Sequence, residues 1–271
     1  MPSIKRDVSV LIRTRDIENR FSELLLRLSN QTLRPSELVV VDNFSSEENL
    51  EKMLNFLSSA KAKIFKNLVD VKLVPIADEE FSHSFSTNVG VFVADCENVC
   101  ITNAHSLPLS NSWLENGLVH FEDLDVAGVS GYFSPHKDGG IWEKILYGCW
   151  NGLNGVGGAR LKGNHFSTVN CIIRKALWKE YPFDEKLPRI IPYAKSFGGE
   201  DYDWAVEMQA RGYKVVLDPK FNVHHSHGEA LQKLISKHIV WSRIKAEIRS
   251  LKRPRNSYTK LWRVKPKYYI L

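Results

Sequence analysis

The run Leu38-Val39-Val40-Val41-Asp42-Asn43 is apolar at four consecutive positions and then breaks on a carboxylate. Four apolar residues without alternation describe a strand covered on both faces, as in a parallel sheet with helices on either side. Working outward, Val8-Ser9-Val10-Leu11-Ile12 reads as an earlier strand. Between the two, Phe21, Leu24, Leu25 and Leu28 share one helical face that ends near Asn30. Leu50, Met53, Leu54 and Leu57 mark a second helix, Val71-Lys72-Leu73-Val74 a third strand, Val89 to Ala94 a helix and Val99-Cys100-Ile101-Thr102 a fourth strand. Strand–helix alternation of this kind predicts an α/β fold with a doubly wound, mostly parallel sheet. In such sheets ligands bind beyond the carboxyl ends of the strands.

After Pro108 the pattern loosens. Ser112 to Phe121 and Gly199 to Arg211 read as helices, and Val126 to Tyr132 and Thr168 to Ile173 as strands. Residues 134–165 are rich in Gly, His, Lys and Trp with little periodicity, so a functional loop or lid is expected there.

The 271 residues suffice for a full core without staples. Four cysteines, Cys96, Cys100, Cys149 and Cys171, form no CxxC pair and no zinc spacing, which favours reduced thiols and a reducing compartment. The apolar run Val8 to Ile12 is too short for a signal segment, and no stretch approaches the roughly 20 apolar residues of a membrane span. The expectation is a cytoplasmic protein. Charge is uneven: from Glu229 onward twelve Lys or Arg face two acids, a net of +10. In a chain of +6, residues 1–228 therefore carry −4. That balance and the absence of a nucleic-acid motif argue against a nucleic-acid binder. In the tail, Leu231, Leu234, Ile235, His238, Ile239, Ser242 and Ala246 share one helical side. Beyond Pro254, Lys and Arg interleave with Tyr258, Trp262, Tyr268 and Tyr269. This pattern suggests contact with an anionic membrane surface, or a helix packed on the main domain with a solvated basic face.

Polar residues follow the strands. Asp42 could accept the imide N–H of uracil, thymine or guanine, or could cap the next helix, a role open equally to Ser45 or Ser46. Asn103 and His105, separated by one residue, could face one ligand, His as a metal ligand and Asn as an oxygen donor. A turn with a hydrogen-bonded His is the alternative. Glu200, Asp201 and Asp203 open a helix behind Gly198-Gly199. The helix dipole explains acids there, and adjacent acids also suit a general base; Asp203 reads as structural. His224, His225 and His227 crowd four positions; His225 and His227 share a face in extended geometry and suit phosphate or metal contact.

The ordered set of motifs resembles the family 2 glycosyltransferases with the GT-A fold. The set comprises Val8 to Arg15, Gln31-Thr32-Leu33-Arg34-Pro35, Val39 to Ser45, Phe81-Ser82-His83-Ser84-Phe85-Ser86-Thr87-Asn88-Val89-Gly90, Ala104 to Pro108, Pro182 to Pro188, Gly199 to Trp204 and the His cluster. The resemblance covers residues 7–228. It implies one unit over 1–228, with a nucleotide-sugar half (1–108) and an acceptor half (109–228), and a basic helical extension over 229–271. It implies nucleotide contacts at Thr14, Arg15, Asp42, Asn88 and Asn103, metal at His105 and His225, and a catalytic base at Asp201 beside Glu200. His227, Trp150, His165 and Asn170 would face diphosphate or acceptor, with Arg160 and Lys162 as basic loop residues near the diphosphate.

Neither position of the metal-binding DxD motif is an Asp; the segment matches a DxH variant with Asn103 first. A His-rich site suits Mn²⁺, with Mg²⁺ as the alternative. The implied activity is inverting transfer of a sugar from a nucleoside-diphosphate sugar to a hydroxyl of a glycan or lipid-linked acceptor. A non-catalytic nucleotide-sugar or partner-binding protein of the same fold is the rival reading.

Overall fold

The computed structural model describes residues 7–154, 159–161 and 165–271; the side chains of 150–154 and 160–161 lie outside that description. The first half runs β1 (Val8–Thr14), α1 (Phe21–Ser29), β2 (Glu37–Asp42), α2 (Glu47–Lys63), β3 (Asp70–Pro75), α3 (His83–Val93), β4 (Asn98–Asn103) and β5 (Leu107–Pro108). The second runs α4 (Trp113–Leu118), β6 (Val126–Ser130), β7 (Phe133–Ser134), α5 (Ile141–Asn154), β8 (Arg160–Leu161), β9 (Asn170–Arg174) and α6 (Lys175–Glu180). It continues through α7 (Leu187–Ile190), α8 (Ala194–Phe197), α9 (Glu200–Ala210), β10 (Lys214–Leu217), β11 (Val223–His224), α10 (Leu231–Ser250) and β12 (Tyr269–Ile270).

The main sheet has the order β12-β3-β2-β1-β4-β9-β6-β10-β8. Strands β3, β2, β1 and β4 are parallel; β9 runs antiparallel between β4 and β6. Alternation along the buried strands divides the core. Val10, Ile12, Leu38 and Val40 face α1 and α2 through Phe21, Leu24, Leu28, Met53 and Leu57. Leu11, Val39 and Val41 face the other side with Phe85, Val89, Trp178 and Trp204. The doubly wound expectation is met, and β2 is buried along its whole length.

One sequence expectation changes. The stretch read as an unstructured loop contains the 14-residue helix α5, whose register the aromatic and Gly-rich composition hid. The basic extension packs on the main unit, one of the two readings its sequence left open. Its β12 pairs with β3 at the sheet edge, and Arg253 and Arg255 reach an acidic cluster formed by α9 and Asp184. There Arg253 meets Asp203 (2.6 Å) and Glu207 (2.9 Å), and Arg255 meets Asp203 (2.8 Å) and Asp184 (3.0 Å). On α10 the expected apolar side is divided: Leu234 is buried, while Ile235 and Ile239 are exposed. A six-residue cluster under α9 instead uses Ile244 and Ile248.

Candidate active site

The small sheet β5-β11-β7 lies over the carboxyl ends of the parallel strands. There β4 delivers His105 and β11 delivers His225 and His227. The ring of His105 stacks on His225 at 4.7 Å and meets His227 edge-on at 5.1 Å. One ring nitrogen from each of the three can lie within 4.8 Å of the others. His224 turns away, its Nδ1 directed at the Pro135 carbonyl at 3.0 Å.

Each imidazole of the trio is prepared. Glu18 Oε2 sits 2.5 Å from His105 Nδ1, which places the proton on Nδ1 and the lone pair on Nε2. That Nε2 is buried and has no hydrogen-bond partner among the described residues. Burial works against the Glu18 carboxylate, but the hydrogen bond and charge of His105, with help from Thr14, hold it below the usual range. His225 is pushed well below the ordinary histidine range, first by burial and then by His105 and His227. His227 is lowered for the same reasons. Converging imidazoles, one of them with an orphaned ring nitrogen, fit a divalent cation.

Backbone supports complete the cluster. Glu143, buried on α5, accepts the N–H groups of His227 and Gly228, both at 2.9 Å. His136 faces the His105 carbonyl at 2.9 Å through Nε2, and its own N–H reaches Ser226 Oγ. A cleft of about 380 Å³ opens on the cluster, lined by Glu18, Asn19, Arg20, His105, Ser226 and His227.

The acidic pair lies across a polar bridge. Gly198 and Gly199 adopt φ of +75° and +124°, and a Cβ on Gly199 would meet Ile244 of α10 at 2.8 Å. Only glycine allows both that turn and that approach. Asp201 Oδ2 accepts the Thr168 N–H at 3.1 Å. Thr168 in turn accepts from Arg13, which also donates to Asn103 Oδ1 (3.1 Å) and Thr87 Oγ1 (3.0 Å). Burial, then the charge of Asp201, raises Glu200 to about 7, so below that pH it adds no second charge beside Asp201. Asp203 is fully buried and bonded to Tyr181 and both tail arginines, in agreement with its structural reading.

Four expectations need correction. Asp42 is covered, not open to a base: Oδ1 accepts the Asp16 N–H at 2.8 Å, while Oδ2 has no partner among the described residues. Burial, with the charges of Asp16 and Glu18, raises it to about 7. Capping of α2 falls to Ser46, whose hydroxyl accepts from Asn49. Asn88 is no nucleotide contact, because its amide is consumed by the protein. It donates to Phe183 O and Glu185 and accepts from Trp178 Nε1 and the Phe183 N–H. Asn170 is likewise sealed between Trp113 and the Phe221 carbonyl, away from diphosphate or acceptor. Asn103 turns its oxygen to Arg13, so it does not pair with His105 toward one ligand.

Thr14 is buried, and its hydroxyl lies between Asp16 O and Glu18 Oε1. Arg15 stands on the exposed rim, paired with Asp78. His165 packs on Tyr132 and Phe133, one ring away from His225. The side chains of Trp150 and Arg160, and all of Lys162, lie outside the described residues. Sequence reading missed Glu18, outside every motif, Glu143 and His136, inside the stretch read as loop, and Arg13, which lies within the Val8 to Arg15 motif but was given no role.

No family model matches the chain. It is 21% identical over 232 residues to the O-antigen chain rhamnosyltransferase RfbN of Salmonella typhimurium, covering 81% of this chain and 66% of that protein. The mannosyltransferase PcManGT of Pyrobaculum calidifontis, solved with GDP-Man and Mn²⁺, superposes with a TM-score of 0.62 at 17% identity. The match spans 93% of this chain and 67% of that one. The chain has the GT-A glycosyltransferase fold. The same GT-A likeness extends to S. aureus TarS 1-349 in complex with UDP-GlcNAc, with a TM-score of 0.57 at 17% identity over 92% of this chain and 68% of that one. Within this GT-A fold the histidine trio and the Asp201 bridge share the carboxyl edge of the main sheet, where a doubly wound sheet binds its ligands.

Proposed function

We propose that this chain is an inverting glycosyltransferase of the family 2 type, moving a sugar from a nucleoside-diphosphate donor to a hydroxyl of a glycan or lipid-linked acceptor. The observation that carries the reading is the buried Nε2 of His105, which has no partner among the described residues, is oriented by Glu18 and converges with His225 and His227 at the cleft. The donors bound in similar structures, GDP-Man and UDP-GlcNAc, support a nucleotide sugar, and the Mn²⁺ beside the former supports a divalent metal. His105, His225 and His227 would hold that metal, which supplies positive charge against the diphosphate.

The chain's own residues do the rest. Asp201 is half-exposed and held by the Thr168 N–H. It takes the acceptor hydroxyl proton as that oxygen attacks the anomeric carbon. The bond from that carbon to the donor diphosphate breaks on the opposite face, and the electron pair leaves with the diphosphate. Protonated Glu200 keeps a second negative charge away from the attacking oxygen, and Arg13 fixes Thr168 and thereby the base.

The test measures transfer and donor hydrolysis with uridine, guanosine and thymidine diphosphate sugars, with Mn²⁺ or Mg²⁺, in wild type and Asp201→Asn. The expected result is turnover with one donor, lost by about 10²-fold or more in the variant while donor affinity persists. Donor binding without turnover in wild type favours the non-catalytic rival. No response to any nucleotide ends both readings.

A further inference from the structure

Helix α10 of the basic extension is packed onto the turn that presents Asp201. Trp241 Nε1 donates to the Phe197 carbonyl at 3.1 Å, immediately before that turn. Ile244 and Ile248 lie against Gly199, where a Cβ would meet them at 2.8 and 3.5 Å. Trp241, Ile244, Lys245 and Ile248 follow the i, i+3, i+4, i+7 spacing of one helical side. Lys245 is thereby carried to the base. Its Nζ stands 5.3 Å from the centroid of the buried Tyr202 ring, within cation–π reach. The N–H of the same tyrosine donates to Asp201 Oδ1 at 2.7 Å.

The hydrogen bonds on the Asp201 carboxylate come from uncharged donors, Tyr202 to Oδ1 and Thr168 to Oδ2. Its titratable neighbours among the described residues come from five elements. They are Glu200 beside it on α9, Arg13 from β1, His83 from α3, Cys171 from β9, and Lys245 from α10 with Arg249 behind it. Burial, the first cause at each, favours the uncharged forms of Glu200, His83 and the Cys171 thiol. Positive charge on Asp201 is therefore left to Arg13 and Lys245. Arg13 is shared with Thr87, Asn103 and Thr168. Burial also works against the Lys245 ammonium and lowers it, while the charge of Asp201 supports it. Two opposite charges in that setting each favour the ionised form of the other.

We propose that Lys245, carried by the tail helix, is a positioning residue that holds the Asp201 carboxylate ready for the acceptor proton. The extension after residue 228 is then part of the site and not a support for it alone. The role given to Asp201 rests on the transferase reading, but the test reads that carboxylate directly, so failure of either is seen separately.

Full-length protein labelled with ¹³Cγ-aspartate is titrated by NMR from about pH 3 to pH 8, with Asp201→Asn assigning the resonance. Lys245→Met, which keeps an apolar stem over Tyr202, should raise the Asp201 midpoint by about one pH unit. Lys245→Gln should give the same shift, and Lys245→Arg should restore the midpoint to within about 0.3. Arg243→Met loses the same charge from the opposite side of the helix and should move it by less than about 0.2. With the nucleoside-diphosphate sugar that wild type turns over in Mn²⁺, the acid limb of kcat/KM should move with the midpoint. A lowered Tm with an unmoved midpoint would make Lys245 a packing contact and overturn the proposal. An equal shift in Arg243→Met, or no recovery in Lys245→Arg, would overturn it as well. Wild type without turnover would count against the transferase reading alone, because the titration is made without substrate.

Discussion

Arg253→Met removes one guanidinium from beneath α9 while keeping an apolar stem of similar length. Arg253 bonds Asp203 Oδ1 at 2.6 Å and Glu207 Oε2 at 2.9 Å, and both acids are fully buried. Removing one partner of a buried pair costs about 3–5 kcal/mol. The low end applies here because each acid keeps other donors. Asp203 retains Arg255 and Tyr181, and Glu207 retains Arg211 and the Arg255 N–H. At roughly 2 °C per kcal/mol for a chain of this size, a loss of about 3 kcal/mol lowers Tm by about 6 °C. The sign with pH follows from Glu207. Burial opposes its charge, but the Arg253 bond and further donors hold it below the usual carboxylate range. Its contribution is therefore present above the unfolded carboxylate pKa and is lost as pH falls through the folded one. The deficit should be full at pH 7 and shrink below about pH 4, measured by thermal unfolding of the full chain. A Tm within about 1 °C of wild type at pH 7 would refute the reasoning and leave the tail resting on α9 without holding it.

Further outcomes follow from the same geometry. Glu18→Gln should weaken Mn²⁺ binding by about 10- to 100-fold in calorimetry, since the carboxylate orients His105; unchanged affinity removes that role. Glu200, raised to about 7, favours the folded state while protonated, so its stabilisation is full below the unfolded pKa and fades as pH rises to 7. Relative to wild type, Glu200→Gln should therefore gain Tm progressively between pH 5 and pH 7.5, and a constant difference would contradict the burial argument. Asn88→Ala strands several buried partners and should cost about 3 kcal/mol while leaving donor KM unchanged. A raised KM at wild-type Tm would return Asn88 to the nucleotide site.

The sheet was legible because its strands are short apolar blocks whose pattern depends on local burial, and Leu38 to Val41 carried that pattern plainly. His225 and His227 were legible for a similarly local reason, since their spacing alone puts them on one side. What failed depended on partners far away in sequence. Asn88 and Asn170 look like ligand contacts until Phe183, Trp178 and Trp113 are found to use up their amides. Glu18 stands outside every motif and gains its role only because the β1–α1 loop folds over His105, 87 residues away. The tail's two readings stayed open because charge counting cannot distinguish a solvated arginine from one bonded to Asp203 under a helix.

The segment Asn103 to His105 holds no carboxylate, yet a negative charge stands one bond network further out. Glu18 is 2.5 Å from the far nitrogen of His105, so its negative charge makes His105 Nε2 a stronger donor without occupying a ligand position. His225 receives no such help: its Nδ1 meets the neutral hydroxyl of Ser106 at 3.0 Å, and its neutrality comes from burial first. The trio thus contains one electron-rich imidazole and one kept neutral by its surroundings, beside a third that is exposed to the cleft. Softer, nitrogen-rich donation favours Mn²⁺ over Mg²⁺, which prefers oxygen and near-ideal octahedral geometry. Replacing His105 by Asp would restore an oxygen donor but strand Glu18 against a like charge. Mg²⁺ should therefore not replace Mn²⁺ in His105→Asp unless Glu18→Gln accompanies it, and calorimetry on the single and double variants decides the point.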